Sequence, residues 1–477
     1  MIGPLGDWDL IIVGAGTAGM ACAITAAEHH ARVVVIEKAS EVGGTLHITG
    51  GHMSAAGTRR QRQKGIEDSP DRHFQDVMRI SRGTADPVLV RLAVDEAPRT
   101  IDWLDDLGFP FAPETPALVY GHELYSVPRT YWGVEAGKSI LQTIRPLWDR
   151  HVASERITVL LKHELTELVG DNRRVVGVVA RGPNGANELR GRAVVLTTGG
   201  YASNPSFFAE VTPGHPRLIS TARQTSTGDG ILAARRLGAQ FRDADKYLAS
   251  LGGLELEPGS GRADWWTAWA LVFSPAYRLP REIYVNLHGQ RFIAEDEPSP
   301  DRRERALLEQ PGHKFWCIFD EAALAEETTI VRQWSAAQLR AEAVKGTVIW
   351  SADTLEELAH RAGIDANGLI QTVRSYNEAV LCGRDPLGRT HLTHPIEKPP
   401  FYALLTYGTS LISFGGLAVD ARLRVLDEQA KPIPGLYAAG EILGAAATSG
   451  QAFCGGMLLT PSLSFGRLLG RWLTATG

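Results

Sequence analysis

The stretch DLIIVGAGTAGMACAITAAEHHARVVVIEK, residues 9–38, decides the fold. It contains an apolar run, a glycine-rich turn, an alanine-rich segment and a second apolar run that ends at Glu37. Continuous apolar runs of this kind are typical of parallel strands that are buried on both faces. The order therefore predicts a strand, a turn, a helix and a strand, which is the first unit of a doubly wound α/β sheet.

Gly14, Gly16 and Gly19 form G-x-G-x-x-G between the predicted strand and helix. In such a unit the first glycine makes the tight turn, the second admits a pyrophosphate, and the third lets the helix pack on the strand. The pyrophosphate lies against free N–H groups at the helix N-terminus. Glu37 ends the second strand, where a carboxylate accepts hydrogen bonds from ribose hydroxyls. These residues predict a dinucleotide site.

NAD and FAD both satisfy that loop, and later segments favour FAD. The glycine pairs at 43–44 and 50–51 allow the backbone to lie against a large flat group. Asp229 stands between glycines in residues 225–231, and a glycine–acid pair, Gly440–Glu441, follows another apolar run. A second glycine–acid pair suits a cofactor that extends through the domain. We therefore expect one FAD.

Two further apolar runs, at 192–200 and 435–441, indicate a sheet assembled from distant parts of the chain. The composition changes between them, where residues 250–395 carry clustered tryptophans, a charge-rich stretch and helical patterns. Ser351 is interpreted as the start of one such helix. We predict an FAD-binding domain from residues 1–249 and 396–477, interrupted by a capping domain at 250–395.

The composition limits the partners. The net charge is −5 and the pI is about 6.3, so no basic face for nucleic acid is predicted. The cysteines are scattered without a C-x-x-C pair, which argues against a disulfide scaffold, a zinc site and an iron–sulfur site. Leu10–Ala27 is uncharged and long enough for a membrane span, but it holds the glycine motif and follows two aspartates. We expect a cytoplasmic protein without a membrane span.

Several segments together resemble the FAD-binding subunits of fumarate reductase and succinate dehydrogenase, and their relatives the ketosteroid dehydrogenases. These segments are VGAGTAG, VIEK, GGTLHITGGHMSAAGT, TTGG, STGDG, VNLHGQRFIAED, IPGLYAAGE and GGMLLTPSLSFGRLLG. The resemblance covers nearly the whole chain. It implies an α/β fold, a Rossmann-like FAD-binding domain with an inserted α+β capping domain, and a substrate held between the cap and the flavin.

The resemblance also implies which residues contact the cofactor. The FAD contacts carried over are Gly14, Gly16, Ala18, Gly19, Glu37, Lys38, Gly44, Thr45, Gly50, Gly51, Leu165 (on the adenine side), Asp229, Glu441, Ser462 and Leu463. The segment TPSLSFG should begin a helix whose N-terminus faces the flavin pyrimidine. Membrane-complex relatives attach FAD through a histidine, but His47 lies too close to Gly50 to match it. We expect non-covalent FAD.

Two positions argue against a C4-dicarboxylate substrate. Ile412 and Phe453 stand where the family carries a histidine and an arginine that bind the carboxylates. A carboxylate that faced two apolar side chains would lose its hydration without compensation. The family's proton-delivering arginine has two candidates here, Arg302 and Arg303, with a solvated helix start as the alternative interpretation.

The end of the chain is more similar to the ketosteroid dehydrogenases. Gly456 occupies the place of a glycine whose N–H binds the substrate ketone, whereas Glu297 and Ser299 stand near the place of a catalytic tyrosine. Tyr125 and Tyr131 are the candidates for the base, with core packing as the alternative. Arg129 is the candidate partner for a substrate carboxylate. The tryptophans Trp265, Trp266 and Trp269 form either a lid over the substrate or part of the core.

These features predict an FAD-dependent dehydrogenase, a desaturase that introduces a C=C bond next to the carbonyl of a cyclic ketone. The ketone is either a small oxo-cyclohexane carboxylate or a steroid-like molecule. The first alternative is a reductase of an activated alkene, and the second is a flavin-binding protein without turnover. The electron acceptor is left open among oxygen, a quinone and a carrier.

Overall fold

The computed structural model describes residues 8–171, 174–216, 219–263, 274–325 and 330–475. The strands are β1 (Trp8–Val13), β2 (Val33–Glu37), β3 (Met53–Ser54), β4 (Thr130–Tyr131), β5 (Ile157–Leu161), β6 (Glu164–Asp171), β7 (Arg174–Gly182), β8 (Gly185–Leu196), β9 (Ile219–Ser220), β10 (Phe241–Arg242), β11 (Ser250–Gly253), β12 (Ile283–Val285), β13 (Lys314–Asp320), β14 (Ile349–Ala352), β15 (Phe401–Ser410), β16 (Gly416–Leu417), β17 (Arg424–Leu426) and β18 (Pro432–Ala438). The helices are α1 (Thr17–Glu28), α2 (Arg59–Gln63), α3 (Pro70–Ile80), α4 (Pro87–Asp106), α5 (Gly137–Ala153), α6 (Pro205–Val211), α7 (Asp229–Arg235), α8 (Pro300–Leu308), α9 (Glu321–Leu324), α10 (Ala336–Lys345), α11 (Leu355–Ala362), α12 (Ala366–Cys382), α13 (Ala446–Ser449) and α14 (Leu459–Thr474).

The first sheet is the predicted doubly wound one. Strands β18, β8, β1, β2 and β5 lie parallel in that order, and β17 adds an antiparallel edge. Ile11 at the centre of β1 pairs with Val34 of β2 and with Val194 of β8. Strands from distant parts of the chain thus meet in one sheet, as the dispersed apolar runs predicted, and the Rossmann-like α/β class is confirmed.

The alanine-rich helix α1 packs against the C-terminal helix α14 at short range. A Cβ at Gly466 would lie 2.3 Å from the carbonyl oxygen of Ala18, and a Cβ at Gly470 would lie 2.7 Å from that of Cys22. This approach buries α1 from Thr17 to Ala27, which explains why the segment is uncharged. No helix within the described ranges is long and apolar enough to cross a membrane.

A second, mainly antiparallel sheet forms the cap. Its order is β11, β15, β13 and β12, with β14 and β9 also paired to β15. Residues 401–407 of β15 pair with β13, so the cap sheet includes residues beyond 396, where the return to the first domain was predicted. The tryptophans proposed as a lid (Trp265, Trp266 and Trp269) lie outside the described residues.

A small apolar cluster lies between the two sheets and carries both of the substituted family positions. Buried Leu248, Phe414 and Ala446 form its centre, and Ile412 and Phe453 pack against it. Leu248 and Phe414 come from loops and Ala446 begins α13, and none of the three belongs to the main core of the first domain. The cluster therefore supports the loops that line the cavity described below.

Candidate functional site

A deep cavity runs from the glycine loop after β1 to the underside of the cap. Residues at the carboxyl ends of parallel strands line one end of it, among them Val13, Ile36 and Thr197. Residues of the cap helix α8 line the other end. Ligands of open α/β sheets bind at the carboxyl ends of the strands. This cavity is the candidate active site.

The three glycines of the loop serve different structural needs. Gly14 has a φ of 102°, and a Cβ there would lie 2.4 Å from the carbonyl oxygen of Thr197. A Cβ at Gly19 would lie 1.9 Å from the carbonyl oxygen of Gly14. By contrast, a Cβ at Gly16 would project into space without a described atom within 4 Å. Helix α1 begins there without a side-chain cap, so its first N–H groups are left for a phosphate.

Glu37 at the end of β2 is tied to this loop. Its Oε2 accepts a hydrogen bond of 2.8 Å from the N–H of Ala15, and its Oε1 accepts one of 2.7 Å from the N–H of Ala39. Each carboxylate oxygen can accept more than one hydrogen bond. Because Glu37 also lines the cavity, it is held in place to accept from a pair of ribose hydroxyls.

The next residue connects β2 to a distant segment. The ammonium group of Lys38 forms a salt bridge with Asp229, the first residue of α7, and also donates to Thr227 Oγ1. Lys38 and Asp229 both line the cavity. The motif STGDG thereby reaches the same site as the glycine loop, although the two are far apart in sequence.

The opposite end of the cofactor region is formed by the second glycine–acid pair. Glu441 Oε1 accepts a hydrogen bond of 2.9 Å from the N–H of Ser413, and burial raises the pKa of Glu441 to about 7. Helix α14 begins at Leu459, close to the predicted start, and Ser462 in its first turn lines the cavity. The positive end of the helix dipole therefore faces the cavity.

The residues present fit FAD. The side chain of Thr198 provides a further indication, because its buried Oγ1 has no hydrogen-bond partner among the described residues and lines the cavity. Of the predicted FAD contacts, Gly19 and Leu463 are not among the described residues that line the cavity, and Gly19 acts through helix packing. The predicted contacts that do line the cavity are Gly14, Gly16, Ala18, Glu37, Lys38, Gly44, Thr45, Gly50, Gly51, Leu165, Asp229, Glu441 and Ser462.

The substrate side of the cavity is apolar at the two positions where the family resemblance implied cations. Ile412 and Phe453 both line it and pack in the same cluster. The Phe453 ring meets the Phe414 ring at a centroid distance of 5.4 Å. A carboxylate at this wall would be desolvated without an ionic partner.

Gly456 lies beside this wall with its backbone turned into the left-handed region. Its φ is 77°, and a Cβ there would lie 2.4 Å from the nitrogen of Ser54. The preceding carbonyl, of Gly455, accepts a hydrogen bond of 2.6 Å from the Tyr125 hydroxyl. The Gly456 N–H has no acceptor among the described residues. Tyr125 is therefore placed behind the wall, where it holds the peptide and does not itself line the cavity.

Tyr131 is not placed to act as a base. It is fully buried, its hydroxyl lies 2.6 Å from Thr58 Oγ1, and it is not among the described residues that line the cavity. Burial also raises its pKa. Its strand β4 pairs with β3 opposite Met53, which directs the ring into the core beside Phe111. The alternative interpretation of Tyr131, core packing, matches this placement.

The prediction that Arg129 binds a substrate carboxylate was wrong. The Arg129 side chain is 0% exposed and forms salt bridges with Asp68 at 2.9 Å and with Asp76 at 3.0 Å. Its guanidinium group also lies over the Tyr125 ring at 5.0 Å. A buried guanidinium that satisfies two carboxylates is a structural ion-pair cluster, and it lies outside the cavity.

The two arginine candidates for proton delivery both lie on helix α8 but differ in exposure. The Arg302 side chain points outward, is 71% exposed and forms a salt bridge of 2.9 Å with Glu297. Neither Arg302 nor Glu297 is among the described residues that line the cavity. Arg303 is buried and lines the cavity, as does Glu304 beside it. Burial lowers the pKa of Arg303 and raises that of Glu304 well above its usual range.

Sequence reasoning missed two imidazoles and a tryptophan that line the substrate side. His52 packs edge-on against the Trp132 ring at 5.3 Å and against the His122 ring at 6.1 Å. Burial lowers the pKa of both histidines to about 4. The available signal was position, because His52 directly follows the second glycine pair at 50–51 and His122 precedes Tyr125 by three residues.

Comparisons with known proteins agree with this geometry. The family model of the FAD binding domain matches residues 9–458. The chain is 30% identical over 471 residues to a probable fumarate reductase of Shewanella frigidimarina, covering 98% of this chain and 75% of that protein. It is 27% identical over 552 residues to the 4-oxocyclohexanecarboxylate 2-dehydrogenase of Sinomonas cyclohexanicum, covering 98% of this chain and 93% of that protein.

One solved structure extends the likeness to three dimensions. The 3-ketosteroid-Δ4-(5α)-dehydrogenase from Rhodococcus jostii RHA1 is 26% identical, with a TM-score of 0.71, and the match covers 100% of this chain and 99% of that one. The match of the family model extends over almost the whole chain, including both sheets and the cavity between them. The chain therefore belongs to the FAD binding domain family, as a flavoprotein oxidoreductase that acts on CH–CH groups.

Proposed function

We propose that this flavoprotein is a desaturase that introduces a C=C bond next to the carbonyl of a cyclic ketone. The observation that carries the proposal is the wall formed by Ile412, Phe453 and Gly456. It offers an apolar surface for a ring and one backbone N–H for a carbonyl oxygen. It offers no cation for a second carboxylate.

The wall also accounts for how such a reaction would be assisted. Bound FAD supplies a two-electron acceptor for the hydride that leaves the β carbon. The Gly456 N–H donates to the ketone oxygen and stabilises the negative charge that develops there when the α proton leaves. The apolar side chains of Ile412 and Phe453 exclude water, which strengthens that hydrogen bond.

Two relatives support a ketone rather than a dicarboxylate. One is a dehydrogenase of 4-oxocyclohexanecarboxylate and the other was solved with 4-androstene-3,17-dione. For a substrate that carries one carboxylate, Arg303 replaces Arg129 as the proposed partner, because it is the arginine of α8 that lines the cavity. Both a small oxo acid and a steroid-like ketone stay within the proposal.

The second candidate is the reverse reaction, reduction of an activated alkene. It is favoured by Arg303 and Glu304, which line the cavity: burial lowers the pKa of Arg303 and keeps the Glu304 carboxyl protonated, and both effects favour release of a proton to a substrate. A probable fumarate reductase is also among the relatives. A reductase of this kind needs an acid near the α carbon, and α8 is the element that would supply it.

Anaerobic titration of the oxidised holoenzyme distinguishes the two candidates. Cyclohexanone, 4-oxocyclohexanecarboxylate and 4-androstene-3,17-dione are each mixed with the enzyme, and the flavin absorbance is followed. Bleaching by a ketone supports the desaturase. If every ketone leaves the flavin oxidised while fumarate or another activated alkene reoxidises the reduced enzyme, the reductase is the correct assignment.

A further inference from the structure

The substrate side of the cavity contains two imidazoles that no hydrogen bond joins to a described residue. His52 and His122 both line the cavity, and both keep part of their surface exposed to it. By contrast, the ring nitrogens of His73 and His313 are fully buried away from it. Each of the two cavity histidines thus has ring nitrogens that a ligand can reach.

His122 is the one that lies beside the carbonyl-binding peptide. Its Cδ2 would be 3.6 Å from a Cβ at Gly455, and its ring centroid lies 6.2 Å from that of Phe453. The ring of His52 packs against the ring of Trp132, with the centroids 5.3 Å apart. The α carbon of a ketone is one bond from the carbonyl carbon. A base at His122 is therefore close to the α hydrogen when the ketone oxygen is bound at the Gly456 N–H.

The other ionisable groups are less suited to accept a proton. Tyr125 lies behind the wall and Tyr131 lies in the core, and neither is among the described residues that line the cavity. Arg303 carries a positive charge, and burial of Glu304 favours its protonated, neutral form. Tyr277 and Cys454 also line the cavity, but burial raises the pKa of the Tyr277 phenol and raises that of the Cys454 thiol to about 12, so both groups hold their protons at neutral pH. A neutral imidazole is therefore the acceptor that remains among the described groups on the substrate side.

We infer that His122 is the catalytic base that takes the α hydrogen of the bound ketone, an inference that rests on the proposed function. The Cα–H bond breaks and the proton passes to a ring nitrogen of His122. The bonding pair stays with the substrate as the enolate, whose oxygen charge is stabilised by the Gly456 N–H. The β hydrogen then leaves as a hydride to the oxidised FAD, so the substrate loses two electrons and two hydrogens in total.

The surroundings of His122 keep its ring neutral. The ionisable groups near it are His52 across the cavity, Glu123 and Tyr125 on its own segment, Cys454 beside Gly455, and Arg303 and Glu304 on α8. Burial lowers the pKa of His122 to about 4, so the imidazole is neutral at neutral pH. A neutral imidazole is the protonation state that a general base requires.

Hydrogen exchange separates proton removal from flavin reduction. The reduced holoenzyme is placed in D2O with cyclohexanone or 4-oxocyclohexanecarboxylate, and loss of the α-hydrogen signal is followed by NMR. The reduced flavin cannot accept a hydride, so this signal reports the base alone. The wild type should exchange, and His122→Asn and His122→Gln should exchange about 10²–10⁴-fold more slowly. Their FAD content and melting temperature should stay near those of the wild type.

Two further expected results complete the test. Added imidazole should restore exchange in His122→Ala, because a missing base can be supplied from solution whereas a missing packing group cannot. Tyr131→Phe, away from the cavity, should exchange like the wild type. Exchange at the wild-type rate in the His122 variants, or a larger loss in His52→Asn, would overturn the assignment, as would loss of FAD from all three His122 variants.

The inference and the proposed function fail differently. If ketones bleach the flavin of the His122 variants at the wild-type rate, the function stands and the base is another group. If no ketone bleaches the wild-type flavin, the proposed function fails and the assignment of His122 fails with it.

Discussion

The hydroxyl of Tyr125 donates a 2.6 Å hydrogen bond to the carbonyl oxygen of Gly455 and thereby orients the peptide that carries the Gly456 N–H. A trans peptide is planar, so its C=O and N–H point in opposite directions. Holding the oxygen away from the cavity therefore directs the N–H toward it. Tyr125 is in this account a positioning residue, which acts on the substrate through a backbone group.

Tyr125→Phe should slow flavin reduction by a cyclic ketone about tenfold, less than the ~10²–10³-fold typical of losing an oxyanion donor outright. The peptide remains but is no longer held. The loss should appear in the maximal rate of bleaching and not in the ketone concentration that gives half of that rate. Rapid mixing under anaerobic conditions measures both quantities.

Tyr131→Phe is the matched control, since it removes a buried hydroxyl of the same kind. It breaks the contact with Thr58 Oγ1 and should lower the free energy of unfolding by ~1 kcal/mol without slowing bleaching. Equal losses of the bleaching rate in Tyr125→Phe and Tyr131→Phe would show that the Tyr125 hydroxyl does not position the Gly456 N–H.

Arg129→Met should destabilise the protein by about 3–5 kcal/mol, because it leaves Asp68 buried without its cation and leaves Asp76 with Arg79 alone. The folded fraction should still reduce its flavin with ketone at the normal rate, since Arg129 is not among the described residues of the cavity wall. Chemical denaturation measures the first effect. A stable Arg129→Met variant with reduced affinity for an oxo acid would show that Arg129 binds the substrate carboxylate.

The cofactor end of the site could be predicted from sequence because its requirements are local. Gly14 and Gly16 act through backbone geometry in one loop, and Glu37 follows at the end of the next strand. Their spacing along the chain fixes their spacing in space. The helix start predicted at Ser351 was wrong, because β14 extends to Ala352 and Thr354 caps α11.

The substrate end could not be predicted in the same way. Whether a tyrosine faces a cavity or the core depends on the strand that it sits on, and Tyr131 was turned inward by the pairing of β4 with β3. Arg129 forms a buried salt bridge with Asp68, which is 61 residues away in sequence. His122 became a candidate only when the loop that carries it was placed against Gly455. These outcomes depend on long-range packing.

The stability of the protein should decrease as the pH falls from about 6.5 to 4. Burial lowers the pKa of His52, His122 and His313 to about 4 and that of His73 well below its usual value, whereas the unfolded histidines titrate near 6.5. In this window the four histidines bind protons mainly in the unfolded chain, which outweighs the opposite effect of the two carboxyls of Glu304 and Glu441, whose pKa values burial raises. Protonation therefore favours unfolding. Melting temperatures at saturating FAD across this range measure the effect. A double variant, His52→Asn with His122→Asn, should show a shallower dependence, and a flat wild-type profile would contradict the account.

Glu37→Ala should weaken FAD binding by roughly 1.5–3 kcal/mol, the value of a hydrogen bond to a charged group. It also removes the acceptor for the N–H groups of Ala15 and Ala39. Glu37→Gln keeps an acceptor in the same place and should lose less. Titration of the apoprotein with FAD compares the variants, and equal affinities would mean that Glu37 does not contact the ribose.

FAD should leave the protein when acid precipitates the chain, because His47 is not placed as the covalent attachment histidine of the membrane complexes. The His47 Nε2 lies 2.9 Å from the carbonyl oxygen of Val42, and the ring is not among the described residues that line the cavity. Absorbance of the supernatant after precipitation measures the released flavin. Yellow colour that stays in the pellet would contradict non-covalent binding.

The most direct test of the central claim is a single anaerobic turnover with product analysis. Oxidised enzyme is mixed with an equal amount of 4-oxocyclohexanecarboxylate, and the products are identified by mass spectrometry once the flavin absorbance is stable. One ketone product, two mass units lighter, should form for each flavin bleached, and fumarate should not oxidise the reduced enzyme. An unchanged ketone with an oxidised flavin, together with rapid reoxidation of the reduced enzyme by fumarate, would contradict it.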